Sequence, residues 1–223
     1  MRDHPIAPVT EPMQYRAIGL VRGVYRPEDP QKFTRGILFD EKGFEIESVV
    51  LGRVLTLMRR HIALEDPHLW VVYPRCRNAK KLHLQIAGIW EPSTLDTGET
   101  EASNLKGDKN EDITFKDQII EGDDYFSIRG ELIFTKPEVN ELIVKIRQIS
   151  RNSIKRPLPF KIRIKGNLSL DNLHKFVSCE VRRNGQELIL ENYELIGSLP
   201  SKNLKKGGKS KPLNNVEKIK KKK

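Results

Sequence analysis

The chain has 223 residues, of which 37% are hydrophobic and 31% charged, and it carries a formal net charge of +10. That length allows one large domain or two small ones with packed cores. No stretch approaches the roughly eighteen apolar residues that span a bilayer, which excludes membrane insertion by a helix. The polar, proline-containing start shows no signal peptide, so we expect a cytoplasmic protein in which Cys76 and Cys179 are reduced.

Charge is distributed unevenly along the chain. Residues 198–223 contain ten Lys and one Glu, whereas residues 93–124 contain ten Asp or Glu and three Lys. The Lys-rich tail has too few apolar residues to build a core, so it is predicted to be disordered. The acidic segment predicts a flexible linker or a long loop. The expected organisation is a disordered start (1–14), a first domain (15–92), the acidic segment (93–124), a second domain (125–197) and the tail (198–223).

The first domain alternates apolar runs with turn residues. Residues 15–27 and two runs within 33–52 are rich in branched and aromatic residues, which predicts three strands. Residues 53–64 place apolar side chains at helical spacing, and 69–74 and 81–90 predict two further strands. This is the element order of the OB-fold, a five-stranded Greek-key barrel with a helix between strands three and four.

The second domain repeats this order. Residues 125–134, 141–149 and 159–168 predict strands, 170–176 predicts a short helix, and the last two strands flank Asn184-Gly185, a strong hairpin signal. We therefore expect a mainly β protein with two OB-like five-stranded barrels in tandem, each with one short helix. One larger β-barrel or sandwich with a long loop is the alternative.

A short sequence pattern supports the repeat. Val21-Arg22-Gly23 and Ile128-Arg129-Gly130 each lie in an apolar predicted strand, and a proline follows each within seven residues. A pattern recurring at matching places in two similar blocks is typical of duplicated domains.

The strand sequences resemble known proteins. GELIF, LIVKI, KIRIKGNL and FVSCEVRRNGQELIL are similar to the strands of OB-fold modules in single-strand-binding proteins. The body as a whole, including HLWVVYPR and IAGIWEP, resembles a cyanobacterial protein family of unassigned function over most of residues 13–199. The resemblance implies OB-fold architecture and brings no catalytic motif with it, and the fold hosts many functions.

Cationic and aromatic residues alternate with apolar ones on several predicted strands. Alternate residues of a small barrel share its outer face, where Arg and Lys can bind phosphates and aromatic rings can stack on bases. The sharpest pattern is Tyr73, Arg75 and Arg77, followed by a basic loop; an ordinary solvated strand face is the alternative. The predicted nucleic-acid-binding residues are Arg22, Tyr25, Arg26, Tyr73, Arg75, Arg77, Lys80, Lys81, Arg129, Lys161, Arg163, Lys165 and Arg182 of the body, and Lys205, Lys206 and Lys209 of the tail.

The sequence shows no pattern of catalytic residues. The histidines are scattered without the spacing of metal ligands, and P-loop, G-x-G-x-x-G and G-x-S-x-G motifs are absent. Cys76 lies between two arginines, which could lower its pKa, but no local motif marks a base to activate it. We therefore expect no enzyme, no metal and no cofactor.

The function predicted from these patterns is non-catalytic binding of single-stranded RNA or DNA, with the tail adding non-specific affinity for polyanions. The partner is then nucleic acid or a ribonucleoprotein. The alternative is a protein–protein scaffold or assembly factor whose tail docks on an anionic surface such as a ribosome. The near-neutral charge of the body favours that alternative, because single-strand binders usually carry their charge on the barrel.

Overall fold

A computed structural model describes residues 4–77, 81–91, 119–148 and 157–199. The strands are β1 (Arg16–Asp29), β2 (Lys32–Asp40), β3 (Glu45–Val50), β4 (His68–Arg77), β5 (Lys81–Ile89), β6 (Tyr125–Lys136), β7 (Glu141–Ile146), β8 (Phe160–Lys165), β9 (Lys175–Asn184) and β10 (Glu187–Ser198). The α-helix α1 spans Gly52–His61, and single 3₁₀ turns span Pro137–Val139 and Leu170–Asn172. The prediction of a mainly β fold is confirmed.

The first five strands close into a ring, here called barrel 1 (β1–β5). β1 pairs with β2, β2 with β3, β3 with β5, β5 with β4, and β4 returns to β1. The β3–β5 pairing is parallel. Helix α1 follows β3, and its Val54 and Met58 are buried in the core because residues four apart share one helix face.

The last five strands repeat this ring as barrel 2 (β6–β10). β6 pairs with β7 and β9, β7 with β8, β9 with β10, and the parallel β8–β10 pairing closes the ring. Both rings have the OB-fold strand order, so the predicted tandem of OB-like barrels is confirmed.

The helix predicted over 170–176 is wrong. The structure has one 3₁₀ turn, Leu170–Asn172, with the Ser169 hydroxyl accepting a hydrogen bond from the Asp171 amide. His174 has a φ of 63°, in the left-handed region that ends a right-handed helix. Two leucines three positions apart imitate helical spacing, but the chain turns directly into β9.

The predicted hairpin between β9 and β10 is present, with its turn one residue later than the sequence indicated. Asn184 pairs with Glu187, so the two-residue loop is Gly185-Gln186. Gly185 has a φ of 59°, which suits glycine at the first position of a tight hairpin turn.

The repeated Arg-Gly pattern marks equivalent close backbone contacts of β1 and β6. An added Cβ at Gly23 would lie 2.1 Å from the Phe39 carbonyl oxygen, and one at Gly130 would lie 2.5 Å from the Lys145 carbonyl oxygen. The first strand of each barrel therefore passes a neighbouring backbone too closely for a side chain.

The barrels are joined edge to edge by β1 and β6. Residues Arg16–Gly19 pair antiparallel with Phe126–Arg129, which continues one hydrogen-bonded sheet from barrel 1 into barrel 2. A Cβ at Gly19 would lie 2.1 Å from the Phe126 ring, so glycine allows the close contact at this junction.

A buried arginine also fastens barrel 2 to barrel 1. The guanidinium of Arg183, on β9, donates to Asp40 Oδ2 of β2 at 2.7 Å and to Asp124 Oδ1 at 2.8 Å. The Arg183 side chain is 1% exposed and that of Asp40 is 5% exposed. A buried guanidinium charge without its carboxylate partners would strongly destabilise the fold. This contact therefore holds the two barrels together as one unit.

Residues 4–14 lie against the barrels, which corrects the predicted disorder for these residues; residues 1–3 of the predicted segment lie outside the described residues. Ile6 is buried in a small apolar cluster with residues of β1 and β4. The Pro12 carbonyl oxygen accepts a hydrogen bond from Arg129 Nη2 at 2.6 Å. This N-terminal segment is therefore part of the folded body.

The end of the acidic segment is also held in place. Asp123 Oδ2 accepts from Arg22 Nε at 2.8 Å, and the carbonyl oxygens of Glu121 and Asp123 accept from Arg182 Nη1 at 2.7 and 2.8 Å. The rest of the predicted linker, 93–118, lies outside the described residues.

Candidate nucleic-acid interface

A groove of about 780 Å³ follows the junction of the two barrels. Barrel 1 contributes the start of β1 and the second half of β4, barrel 2 contributes the end of β7 and the start of β8, and the N-terminal segment forms a further wall. The arginines and aromatic residues that line this junction groove are Tyr15, Arg16, Tyr73, Arg75, Arg147 and Phe160. Three cations and three rings thus share one open surface.

The centre of the junction groove is a stacked pair from opposite barrels. The Arg75 guanidinium carbon lies 3.8 Å from the centroid of the Phe160 ring. One guanidinium hydrogen bond goes to the adjacent Pro74 carbonyl oxygen at 3.0 Å, and no carboxylate contacts Arg75 within the described parts of the chain. Burial lowers the pKa of Arg75, so an incoming anion would compensate a poorly solvated charge.

Tyr15 and Arg147 form a second arginine–ring contact in the same groove. The Arg147 guanidinium carbon lies 5.8 Å from the Tyr15 ring centroid, and the ring packs edge-on against Phe176 at 5.0 Å. The Tyr15 hydroxyl is buried and has no hydrogen-bond partner among the described residues. Burial raises the pKa of this phenol, which therefore remains a hydrogen-bond donor at neutral pH.

Arg16 is the third arginine of the junction groove. Its Nη2 donates to the Ala7 carbonyl oxygen of the N-terminal segment at 2.5 Å. Burial lowers the pKa of Arg16, and the nearby positive charge of Arg129 lowers it further. Arg16 thus both lines the junction groove and holds the N-terminal segment that forms one of its walls.

The structure brings Tyr73 and Arg75 of the sharpest predicted pattern into this groove. Both are half-buried and lie two positions apart on β4, as alternation predicted. The backbone of Arg77 ends β4, while its side chain and the tail and loop residues Lys80, Lys205, Lys206 and Lys209 lie outside the described parts.

Two predicted binding residues are buried, and these predictions are wrong. Tyr25 is 0% exposed, and its hydroxyl donates to the Phe33 carbonyl oxygen at 3.0 Å, so the ring cannot stack on a base. Arg129 is 7% exposed and donates to Ser178 Oγ at 2.8 Å. It fixes the junction between the barrels.

Most of the other predicted cations are surface residues already bound to protein carboxylates. The ion pairs are Arg22–Asp123 at 2.8 Å, Arg163–Glu141 at 2.9 Å, Lys165–Glu187 at 2.7 Å, Arg182–Glu191 at 3.0 Å, and Lys81–Glu47. Arg26 is exposed over the Phe39 ring at 4.8 Å, and Lys161 is exposed on β8. These residues form no continuous free stripe.

The list of binding residues predicted from the sequence lacks Tyr15, Arg16, Arg147 and Phe160. Arg147 follows the end of β7 and Phe160 begins β8, so each is a strand-end residue without an alternating neighbour of its own kind. The sequence does show a basic residue, Arg147, and an aromatic residue, Phe160, at the two ends of the β7–β8 connection. Their contact with β4, however, depends on how the two barrels pack against each other.

The structure offers no support for chemistry at Cys76. Burial raises the pKa of its thiol, with Arg163 offsetting this only in part, so the neighbouring arginines in the sequence do not activate it. Within the described ranges no three His, Cys, Asp or Glu residues form a metal-binding group. In the same part of the chain no helix has the length and apolarity to cross a membrane.

Two family models match the chain. Residues 17–97 match the N-terminal OB-fold domain of the PatR RNA-binding protein, and residues 128–197 match a C-terminal cyanobacterial OB-fold-like RNA-binding domain. No functionally curated protein matches it. The two models fall on barrels 1 and 2 in order and together cover more than half of the chain. The chain therefore belongs to the cyanobacterial family of OB-fold proteins that its sequence resembles.

Proposed function

We propose that this protein is a non-catalytic RNA-binding protein that holds single-stranded RNA in the junction groove. The observation that carries this proposal is the Arg75–Phe160 stack. Its cation has no carboxylate partner among the described residues and lies on an aromatic ring where two domains that match RNA-binding family models meet. An unpaired base can stack on the outer plane of such a guanidinium, while its N–H groups bind a phosphate.

The groove favours a single strand for a physical reason. Its aromatic rings lie within a concave surface, and base faces are accessible for stacking only where a strand is unpaired. Arg16, Arg75 and Arg147 supply positive charge along the same path. The lysine tail, residues 198–223, adds contacts to phosphates without base preference, which accelerates encounter and makes affinity salt-dependent.

The test is fluorescence anisotropy with labelled single-stranded RNA, single-stranded DNA and duplex RNA. It uses the full chain and a chain ending at Pro200, just after β10, over a range of salt. We expect Arg75→Ala to weaken single-stranded RNA binding by about tenfold or more in both chains, because it removes a stacking surface and a phosphate contact. Arg75→Lys keeps the positive charge but lacks the planar guanidinium, so it should recover only part of the RNA affinity lost in Arg75→Ala.

Lys136→Ala is the matched control, since Lys136 is an exposed cation of β6 that does not line the groove. Equal losses for Arg75→Ala and Lys136→Ala would mean that only net charge matters. Binding that disappears with the tail, while Arg75→Ala has no effect in the full chain, would contradict the groove and favour a protein partner for the barrels.

A further inference from the structure

Among the side chains that the structure describes, the arginines with no hydrogen-bond or ion-pair partner all belong to barrel 1. Wherever the structure describes the side chain, every arginine of barrel 2 donates to a carboxylate, a carbonyl or a hydroxyl oxygen. Of the described arginine side chains of barrel 1, five make no such bond to another described residue, and they are Arg26, Arg35, Arg53, Arg59 and Arg60. Three of these five belong to α1.

Helix α1 directs these arginines outward on a single surface. Arg53, Thr56 and Arg60 are exposed at a spacing of three and four residues, so they lie on one helix face. Arg59 is exposed beside them, with its guanidinium carbon 6.0 Å from the Phe33 ring centroid. The opposite face carries the buried Val54 and Met58, which close the barrel core.

The position of Arg53 has no explanation in helix stability. Arg53 is the second residue of α1, in the first turn, where the helix dipole is unfavourable to a cation. No acidic residue occupies that turn, and the side chain of the N-terminal cap residue, Leu51, makes no capping hydrogen bond. Arg59 and Arg60 in the last turn suit the dipole, so a structural role explains them and leaves Arg53 unexplained.

We infer that the exposed face of α1 is a second RNA-binding surface, which holds the phosphate backbone of RNA extending beyond the junction groove. Planar guanidinium groups with no protein acceptor are suited to bidentate contacts with phosphate oxygens. None of the large exposed apolar residues of the described chain lies on α1, which favours a polyanion over a lipid surface. This inference rests on RNA being the ligand, as proposed above.

The test compares two RNAs on the full chain, one of about 6 nucleotides and one of about 30, because a single OB-fold covers roughly 4–16 nucleotides. The variant R53Q/R59Q/R60Q should bind the short RNA normally and the long RNA about tenfold more weakly. Its salt slope for the long RNA should fall by about 2, since each lost phosphate contact on a single strand contributes about 0.7. K32Q/K42Q/K136Q is the control that removes the same charge from other exposed sites.

Arg53→Glu separates binding from folding. It should raise Tm by about 2 °C, because an acidic residue in the first turn suits the helix dipole. The same variant should weaken binding of the long RNA severalfold, which no purely structural role of Arg53 predicts. Unchanged affinity for the long RNA in both arginine variants, or a loss no greater than that of the lysine control, would overturn the inference.

The outcomes also separate this surface from the groove. If Arg75→Ala weakens both RNAs while the α1 variants weaken neither, the groove stands and the second surface fails. If the α1 variants weaken the long RNA while Arg75→Ala has no effect, the second surface stands and the groove fails. Cosedimentation of the full chain with anionic vesicles that is lost in R53Q/R59Q/R60Q, without any loss of RNA binding, would assign the face to lipid and overturn the inference.

Discussion

Barrels 1 and 2 have the same strand order, but they differ in how their arginines are paired. In barrel 2, Arg147, Arg163 and Arg182 bind neighbouring carboxylates on the surface, and Arg183 binds two more in the interior. In barrel 1, the arginines of α1 have no carboxylate partner within the described ranges. The described arginines of barrel 2 are all bonded within the protein, whereas barrel 1 has bonded arginines, such as Arg16 and Arg22, and also five arginines that face solvent without such a bond.

This difference shows why charge counts along the sequence mislead. Residues 125–197 have the larger net positive charge, +5 against +3 for residues 1–92. Among the described arginines, those without a bonded partner nevertheless belong to the less charged block, because pairing in the folded state decides which guanidinium groups remain for a ligand. Each prediction below changes the pairing state of one group.

The largest expected effect follows from removing Arg183. Arg183→Met leaves Asp40 and Asp124 without their cation in a buried site, and breaking such a contact costs about 3–5 kcal/mol. We expect Tm to fall by about 10 °C, measured by thermal unfolding with circular dichroism. Arg182→Met is the control on the neighbouring, half-exposed residue, and its Tm should fall much less. Equal effects would mean that the buried contact does not hold the barrels together.

A moderate effect is expected from freeing cations in barrel 2. Glu131 Oε2 binds Lys145 at 2.8 Å and Arg147 at 3.2 Å. Burial is the largest single influence on the pKa of Glu131 and raises it, but the contacts with the two cations together outweigh burial and hold this pKa below its usual value. Glu131→Gln should cost about 1 kcal/mol of stability. It should also tighten single-stranded RNA binding about two- to threefold at low salt, because Arg147 lines the groove.

Glu141→Gln is the matched control, since Glu141 pairs with Arg163 at 2.9 Å outside the junction groove. Anisotropy titrations of the two variants side by side give the comparison. If Glu131→Gln leaves RNA affinity unchanged or lowers it, then the ion pair with Glu131 does not weaken RNA binding by Arg147. The different pairing of arginines in the two barrels would then have no effect on RNA binding.

The smallest effect is a pH dependence within barrel 1. Burial lowers the pKa of His68, but hydrogen bonds to Glu91 and to the Ala63 carbonyl oxygen, with the charges of Glu91 and Asp66, outweigh it and raise the pKa above 6.5. The contribution of protonated His68 to the free energy of unfolding is therefore fully present below about pH 6.5 and is lost as the pH rises through the folded-state pKa of His68. Between pH 6 and pH 8 the wild-type Tm should fall by about 2 °C more than that of His68→Gln. Parallel pH profiles would contradict this.

Most of the fold could be predicted from the sequence because its signals are local. Alternation of apolar and polar residues and the turn residues between them identify each strand, and the element order then limits the topology. The helix expected at 170–176 shows where local signals fail. Leu170 and Leu173 have helical spacing, yet the His174 amide donates to the Leu132 carbonyl oxygen at 2.8 Å and draws the chain into β9.

The candidate site could be predicted only in part. Tyr73 and Arg75 lie on the outer face because alternation places them there. The same rule applied to β1 would have assigned Tyr25 to the core, since Arg22 and Arg26 share the opposite face of that strand. The meeting of Arg75 with Phe160 depends on the docking of two barrels whose contacting residues lie 85 positions apart, and no periodicity within either barrel encodes it.

The N-terminal segment bears on the order in which the chain folds. Its carbonyl at Pro12 accepts from Arg129, 117 residues later, and His4 contacts Glu121 at 3.0 Å across the same separation. During synthesis barrel 1 has all its strands by residue 89, whereas the wall of the groove cannot be fixed until the first strand of barrel 2 has emerged. A growing chain on the ribosome thus lacks a complete groove while it is next to abundant RNA. If the groove binds RNA, as proposed above, it can do so only once the second barrel is complete.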